Sequence, residues 1–169
     1  MPAGLGRLVE VVLAEAGFEY WPGMQRTVVA DCRAAAVRAN AGPGERVRIL
    51  PRLPWAEVPA FLAGAAVTVV ASTSPETFCN TAAEALSVGT PVVAYNLGHV
   101  PALVGDAGLM VPASSGPEAL WAAVARLMSD AGGYRRAASA GPRRLAAHTP
   151  RAAARAFLAA TTLPAEAET

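Results

Sequence analysis

Short apolar runs rich in β-branched residues alternate with Ala-rich segments along this chain. The apolar runs have the length of buried strands, and they predict β-strands at residues 27–30, 47–50, 67–71, 91–95 and 108–111. The Ala-rich segments predict helices at residues 5–16, 31–41, 55–63, 77–87, 117–129, 134–147 and 151–160. Strands that read as continuous apolar runs are typical of sheets that helices cover on both faces. The pattern therefore predicts an α/β fold with a three-layer, doubly wound parallel sheet of the Rossmann-like type.

The length and the two ends of the chain bear on its domain organisation. With 169 residues, 53% of them hydrophobic, the chain has the size of one domain with a sizeable core. No strand precedes the first predicted helix, whose apolar side chains are Leu8, Val9, Val11, Val12 and Leu13. We therefore expect a single α/β domain over residues 1–162 that lacks its first strand, followed by a frayed tail at residues 163–169.

The cysteines and the apolar stretches bear on the cellular compartment. Cys32 and Cys79 stand in no CxxC or His-paired motif, so neither a disulfide framework nor a structural zinc site is indicated. Polar, Gly and Pro positions interrupt the apolar stretches, whereas a transmembrane helix needs about 20 mainly apolar residues. The first residues also lack the basic and apolar pattern of a secretory signal. We expect a cytoplasmic protein.

The distribution of charge limits the class of partner. A net charge of +1 gives no bulk field that would attract nucleic acid. All 14 basic residues are arginine, so chemistry that requires a lysine is excluded for this chain. Near the C-terminus six of them recur at close to eight-residue spacing, namely Arg135, Arg136, Arg143, Arg144, Arg151 and Arg155. We interpret these arginines as a solvated face, with peripheral contact to an anionic membrane or an acidic partner as the alternatives.

Two isolated carboxylates are the candidate chemistry of the chain. Between Val58 and Gly105 the only charged residues are Glu76 and Glu84, eight positions apart. A carboxylate in apolar sequence is partly desolvated, which costs free energy unless hydrogen-bond donors or a ligand meet it. The pair follows the strand predicted at residues 67–71, and doubly wound sheets bind ligands beyond the carboxyl ends of their strands. The sequence therefore predicts a binding site around residues 72–78.

A helix that begins at Pro75 would supply donors to this site. Its first backbone amides would be free to hold a phosphate, and they belong to Thr77, Phe78, Cys79 and Asn80. Glu84 would then lie about 12 Å beyond Glu76, which is comparable with the reach of a nucleoside diphosphate sugar. The alternative is a capping box, in which Glu76 only satisfies the backbone amide of Thr73 and Glu84 is a surface acid. Helix physics alone leaves both interpretations open.

The neighbouring sequence carries three motifs in order. They are a Glu-x7-Glu element at residues 76–84, a Glu-Ala-x-x-x-Gly-x-Pro-Val run at residues 84–92 and an Asp-x-Gly-Leu strand at residues 106–109. Over residues 47–130 the chain thereby resembles the donor-binding C-terminal domain of retaining glycosyltransferases of family 4, which have the two-domain GT-B architecture. The resemblance implies transfer of a hexose from a nucleoside diphosphate sugar to an acceptor, with retention at the anomeric carbon and without a metal or another cofactor.

The resemblance also implies roles for individual residues. Glu76 corresponds to the catalytic acid near the donor sugar, and Glu84 to the residue that binds the nucleotide ribose. Arg52 lies on a loop that corresponds to the one approaching the base, and His99 follows the strand at 91–95, where it either faces the donor phosphates or is simply solvated. The turn whose amides meet the sugar and the diphosphate comprises Thr77, Phe78, Cys79, Asn80 and Thr81.

The chain departs from the family pattern in three respects. Cys79 stands where such proteins usually have Gly, and it is either an inert small side chain or a thiol whose pKa is lowered by a helix N-terminus. The Lys that helps to neutralise the diphosphate is absent, and only Arg7 is a candidate for the accompanying Arg. Because the resemblance begins near residue 47, we also expect the acceptor-binding N-terminal domain to be missing.

We therefore expect a nucleotide-sugar-binding domain that is inactive alone and needs an acceptor-binding domain or partner chain. A nucleotide-sugar epimerase or a phosphorylase on the same fold is one alternative, because fold does not imply function. A catalytically silent nucleotide-binding or interaction module is the other. Detection of isomerisation or phosphate-dependent cleavage would favour the former, and absence of nucleotide affinity the latter.

Overall fold

The computed structural model describes residues 8–12 and 21–161, and the chain divides into two compact units. The first unit is Met1–Val58 and the second is Pro59–Thr169. Each unit contains its own parallel sheet. Within the described residues, no helix combines the length and the apolar character needed to cross a membrane.

In the first unit two short strands pair in parallel, β1 (Val9–Val12) with β2 (Val47–Leu50). Helix α1 (Met24–Ala39) lies between them in sequence and packs against β2. The end of α1 is fixed to β2 by Asn40, whose side-chain oxygen accepts from the backbone N–H of Val47 at 2.9 Å and whose amide donates to the Val47 carbonyl at 2.7 Å.

Two predictions in this unit are wrong. Residues 9–12 of the helix predicted at 5–16 form a strand, and the other residues of that segment are outside the described part except for Leu8. Valine loses side-chain freedom in a helix but packs well in a pleated strand. The parallel partner β2 supplies the backbone hydrogen bonds that make this segment a strand. The expectation that a first strand is missing therefore loses its basis. The predicted domain boundaries at 1–162 and the tail at 163–169 stay predictions, and the tail is outside the described residues.

The strand predicted at 27–30 lies inside α1 instead. Its β-branched run is short, and Thr27 makes two helical contacts to the Gly23 carbonyl, from its backbone N–H at 3.1 Å and from its hydroxyl at 3.2 Å. The helix has 16 residues and continues on both sides of this run. The strand preference of so short a run is too weak to interrupt it.

The second unit is a three-stranded parallel sheet with helices packed against it. Its strands are β3 (Thr68–Val70), β4 (Val92–Tyr95) and β5 (Gly108–Val111), in the order β3-β4-β5. Its helices are α2 (Val58–Gly64), α3 (Asn80–Ser87), α4 (Val100–Val104), α5 (Gly116–Ser129), α6 (Ala131–Leu145) and α7 (Pro150–Thr161). The strands predicted at 47–50 and 108–111 have the predicted bounds, and those predicted at 67–71 and 91–95 are slightly shorter in the structure.

The core of the second unit surrounds the central strand. All four residues of β4 are buried, as the continuous apolar sequence predicts for a strand covered on both faces. Helix α3 contributes Ala82, Ala85 and Leu86, each with no exposed surface, and it packs against α6. The buried hydroxyl of Thr90 donates to the Leu62 carbonyl at 2.7 Å, which joins the end of α2 to the turn before β4. The core thus fixes the strand ends from which the candidate site is built.

Candidate functional site

The candidate site lies at the carboxyl ends of β3 and β4. These strands are parallel and adjacent, so the segments that follow them, residues 71–79 and 96–99, emerge at the same edge of the sheet. A backbone hydrogen bond joins the two segments, from the His99 N–H to the Glu76 carbonyl at 2.9 Å. The edge is the position at which α/β sheets bind ligands.

Gly98 allows this close approach. Its φ of +56° is in the left-handed region, and a Cβ at this position would overlap the carbonyl oxygen of Glu76 and lie 2.6 Å from the Glu76 nitrogen. Any other residue would therefore push the two segments apart. The backbone of Glu76 is held in place by direct contact with the β4 loop.

The Glu76 carboxylate is half-buried, and its Oε1 accepts a hydrogen bond from the Ser72 hydroxyl at 2.6 Å. The capping-box alternative does not describe this geometry, because no helix begins near Thr73 and the acceptor role of Glu76 is toward Ser72. Because a donor holds one oxygen of this half-buried carboxylate, the other oxygen can accept a hydrogen bond from a ligand.

The neighbouring helix begins later than the sequence predicts. Helix α3 starts at Asn80 rather than near Thr77, because Cys79 has a φ of 69° and this left-handed conformation interrupts any helical run before it. The first amides of α3 are therefore those of Asn80 and Thr81, which have no partner one turn earlier in the helix. The next amide, that of Ala82, meets the Cys79 sulfur. Thr77 and Phe78 lie on the preceding loop, both exposed.

The later start changes the relation between the two glutamates. Glu84 lies on α3, half-buried, while Glu76 precedes the helix. The separation of about 12 Å expected for a continuous helix from Glu76 to Glu84 therefore does not apply. The two carboxylates are carried by different elements, a loop and a helix, that meet at Cys79.

Cys79 is buried, with 7% of its surface exposed. Burial raises the pKa of the Cys79 thiol above its ordinary value. The Ala82 N–H in the first turn of α3 opposes this increase and the Glu76 carboxylate adds to it, but burial is the largest effect. The hypothesis of a thiol activated by the helix N-terminus is therefore wrong, and the alternative of an inert small side chain is favoured.

An aromatic cluster completes the edge of the site. The ring of Phe78 stacks on the His99 imidazole with centroids 6.1 Å apart and an interplanar angle of 19°. On another side it meets the His148 imidazole at 5.9 Å with an angle of 52°. His148 is not among the predicted site residues, because it is 70 positions from Phe78 and belongs to no motif. His99 is placed on the loop as predicted, in contact with Phe78.

The remaining predicted residues are placed as follows. Arg52 is exposed in the first unit, just after β2. Asn80 and Thr81 are exposed at the start of α3. Arg7 is outside the described residues. Within residues 8–12 and 21–161, no group of three or more His, Cys, Asp or Glu side chains is arranged to hold a metal ion.

Solved structures of other proteins share this fold. A sucrose-phosphate synthase from Thermosynechococcus elongatus matches with a TM-score of 0.65 at 23% identity, over 90% of this chain and 39% of that chain. HepE from Anabaena, in complex with UDP, matches with a TM-score of 0.67 at 22% identity, over 83% of this chain and 38% of that one. A glycosyltransferase from Rickettsia africae gives 0.68 at 16% identity, over 90% and 47%. These likenesses confirm the predicted α/β fold, equivalent to part of a GT-B glycosyltransferase.

The sequence comparisons give the family. This chain spans about two fifths of the length of the first two of these structures. No curated protein sequence matches it. The family model described as glycosyl transferases group 1 matches residues 10–130, well over half of the chain. The chain therefore belongs to the glycosyl transferases group 1 family.

Proposed function

We propose that this chain is the nucleotide-sugar-binding part of a retaining glycosyltransferase that transfers a hexose from a nucleoside diphosphate sugar to an acceptor. The observation that carries the proposal is the family match over residues 10–130. The geometry at the sheet edge supports it, because a half-buried carboxylate and the first turn of α3 lie next to each other there. Such a helix N-terminus favours negatively charged groups.

In this proposal the donor diphosphate meets the amides at the start of α3, on Asn80 and Thr81. Glu76 is the catalytic residue at the sugar, where its negative charge stabilises the positive charge that develops on the anomeric carbon. The Ser72 hydroxyl fixes one oxygen of this carboxylate at 2.6 Å, which orients the other. The chemistry needs no metal, because the helix amides stabilise the leaving diphosphate.

Glu84 binds the ribose hydroxyls of the donor. Glu84 and the first amides of α3 belong to one rigid helix, so the distance between them is fixed. Thr77, Phe78 and Cys79 shape the loop around the sugar. The role of Arg52 at the base stays a prediction from the family resemblance.

Uracil is the base that we propose to test first. HepE, whose structure resembles this chain, has been solved with UDP and with UDP-glucose. UDP-glucose is therefore the first probe, followed by GDP-, ADP- and dTDP-sugars. The acceptor binds to another domain or partner chain, since this chain spans only part of its structural relatives. Nucleic acid is not an expected partner, and contact of the C-terminal arginines with a membrane surface stays an alternative.

Titration calorimetry with UDP-glucose tests the proposal directly. We expect saturable binding that weakens by roughly 1 to 3 kcal/mol in Glu84→Gln, the range expected when a hydrogen bond to a charged group is lost. Glu118→Gln is the matched control, because Glu118 is an exposed acid in the first turn of α5. Equal weakening in both variants, or binding of UDP-glucose that Glu84→Gln leaves unchanged, would contradict the assignment of Glu84.

A silent binding or interaction module is the second candidate. It is favoured by one observation, the absence of any lysine from a chain whose family uses one at the diphosphate. In that case a folded chain would bind none of the nucleotide sugars of the panel.

A further inference from the structure

We propose that His148 is a positioning residue of the donor site, which holds the loop containing Glu76 through its contact with Phe78. The inference rests on the proposed function, since it deepens the account of the same site. It begins with Phe78, whose ring is 37% exposed and lies against two imidazoles, that of His99 at 6.1 Å and that of His148 at 5.9 Å between centroids. A large apolar side chain at a loop is held by such neighbours rather than by a core.

His148 is itself well anchored. It lies in the turn between α6 and α7, where its backbone N–H donates to the Leu145 carbonyl at 2.9 Å. Its Nδ1 is 3.2 Å from the carbonyl oxygen of Arg144, an acceptor, so the contact is a hydrogen bond when Nδ1 carries the proton. The backbone of His148 is thus fixed to the last turn of α6, which places its ring beside Phe78 whether or not Nδ1 carries the proton.

The end of α6 is in turn fixed to the segment after β4. The Arg144 guanidinium donates to the carbonyls of Ala102 at 2.6 Å and Leu103 at 3.0 Å, and it pairs with Asp106 at 3.2 Å. Gly105 provides the space for this contact, because a Cβ there would overlap the guanidinium carbon. Arg144 therefore satisfies carbonyls in the last turn of α4, a helix that begins directly after His99.

These contacts form a closed frame around the donor loop. One side of the frame is the hydrogen bond from the His99 N–H to the Glu76 carbonyl, and the other is the tilted contact of the Phe78 ring with the His148 imidazole. Phe78 is two positions after Glu76 and one before Cys79, which precedes α3 directly. A shift of Phe78 would therefore move the carboxylate and disturb the start of α3 together.

His148 acts in this scheme through its ring and not through a proton. Its imidazole contacts Phe78, whereas Glu76 contacts the Ser72 hydroxyl and the His99 amide. A flat aromatic side chain of similar size should therefore replace it, and a small side chain should not. This expectation separates positioning by the ring from acid–base chemistry.

Hydrogen exchange of the His99 amide tests the proposal without a ligand, because this amide donates across the frame to Glu76. We compare His148→Ala, His148→Phe and, as a control, Arg143→Ala, since Arg143 is an exposed neighbour on α6. In His148→Ala we expect exchange at His99 to be faster by about 2- to 10-fold, the range that corresponds to the loss of one aromatic pair. His148→Phe should restore the rate of the natural chain, and Arg143→Ala should leave it unchanged.

UDP-glucose binding, measured on the same proteins, is the second readout. The affinity should fall by about 2- to 10-fold in His148→Ala and recover in His148→Phe. If the natural chain binds no UDP-glucose, the proposed donor is wrong, while the exchange rate at His99 still decides whether His148 holds the loop. The proposal is overturned if His148→Ala leaves this rate unchanged, if His148→Phe fails to restore it, or if protection is lost equally across β4, which would indicate a global effect.

Discussion

At the scale of single residues, Cys79 shows how the backbone sets the site. It is the one residue other than glycine with a positive φ among the described residues, at 69°. This conformation costs an L-residue roughly 1 kcal/mol or more, and it is tolerated because it turns the chain from the Glu76 loop into α3. The side chain is buried, so packing offsets part of the cost.

Substitutions at Cys79 should separate strain from packing. We expect Cys79→Gly to exceed Cys79→Ala in free energy of unfolding by about 1 kcal/mol, because both lose the sulfur and only glycine adopts this φ without strain. Urea unfolding of the two variants measures the difference. In an ordinary helix or strand the order is reversed, so a more stable alanine variant would show that the backbone is not strained.

The raised pKa of the Cys79 thiol predicts that this thiol is alkylated slowly in the native protein. In Cys32→Ser, where Cys79 is the remaining thiol, we expect iodoacetamide to react far more slowly with the native protein than with the protein in urea. The same shift predicts that stability falls as pH rises above about 9.0, the ordinary value, because the thiol of the unfolded chain ionises while the buried thiol stays protonated. Equal rates in native and unfolded protein would contradict a buried, protonated thiol.

At the scale of elements, α6 packs against α3 and thereby holds the helix that follows the Glu76 loop. Gly141 lies in α6 and is buried, and a Cβ at this position would lie 2.6 Å from the Leu86 carbonyl oxygen on α3. The helices approach this closely because a glycine is present. The start of α6 is also well defined, since the Gly133 N–H donates to the Asp130 carboxylate at 2.8 Å and lowers the pKa of that carboxyl.

Two glycine substitutions in α6 should have opposite effects. We expect Gly141→Ala to destabilise the protein by about 1 to 3 kcal/mol, because the new methyl group meets backbone that cannot move cheaply. Gly132→Ala should be neutral or stabilise by up to about 1 kcal/mol, since its Cβ would meet only side-chain atoms and alanine favours helix. Urea unfolding measures both values, and a stabilising Gly141→Ala would contradict the close contact with Leu86.

At the scale of the whole molecule, the proposed function predicts how the chain behaves alone. It spans 39% of the sucrose-phosphate synthase chain and 38% of the HepE chain. If the acceptor binds to another domain or partner chain, as proposed, a donor held by this chain alone has part of its surface in contact with water. Binding and transfer are therefore expected to separate.

We predict that the isolated chain binds UDP-glucose but turns it over far more slowly than the roughly 1 s⁻¹ at the lower end of typical enzyme rates. Release of UDP, followed in the presence of simple sugar acceptors, measures this rate. Glu76→Gln is the control for any residual release, which should depend on Glu76 if it arises at the proposed site. Turnover at ordinary enzyme rates would show that a separate acceptor-binding part is not required.

Much of the second unit could be predicted from sequence, and the first unit much less. Continuous apolar runs identified β3, β4 and β5. The signal is clearest for β4, which is buried at all four positions, because burial leaves a direct mark on residue type. The error at residues 27–30 arose because a short β-branched run resembles a strand, although the helix around it is long. The error at residues 9–12 arose because only pairing with β2 decides between strand and helix there.

By itself the sequence determined the α/β class, the family motifs and the location of the candidate site after β3, since hydrophobic pattern and local motifs are read within a few neighbouring residues. Only the tertiary structure decided that α3 starts after Cys79, that Glu76 is held by Ser72 and His99, and that His148 lies against Phe78. These features depend on backbone strain and on contacts between residues far apart in the chain, and neither leaves a periodic signal in the sequence.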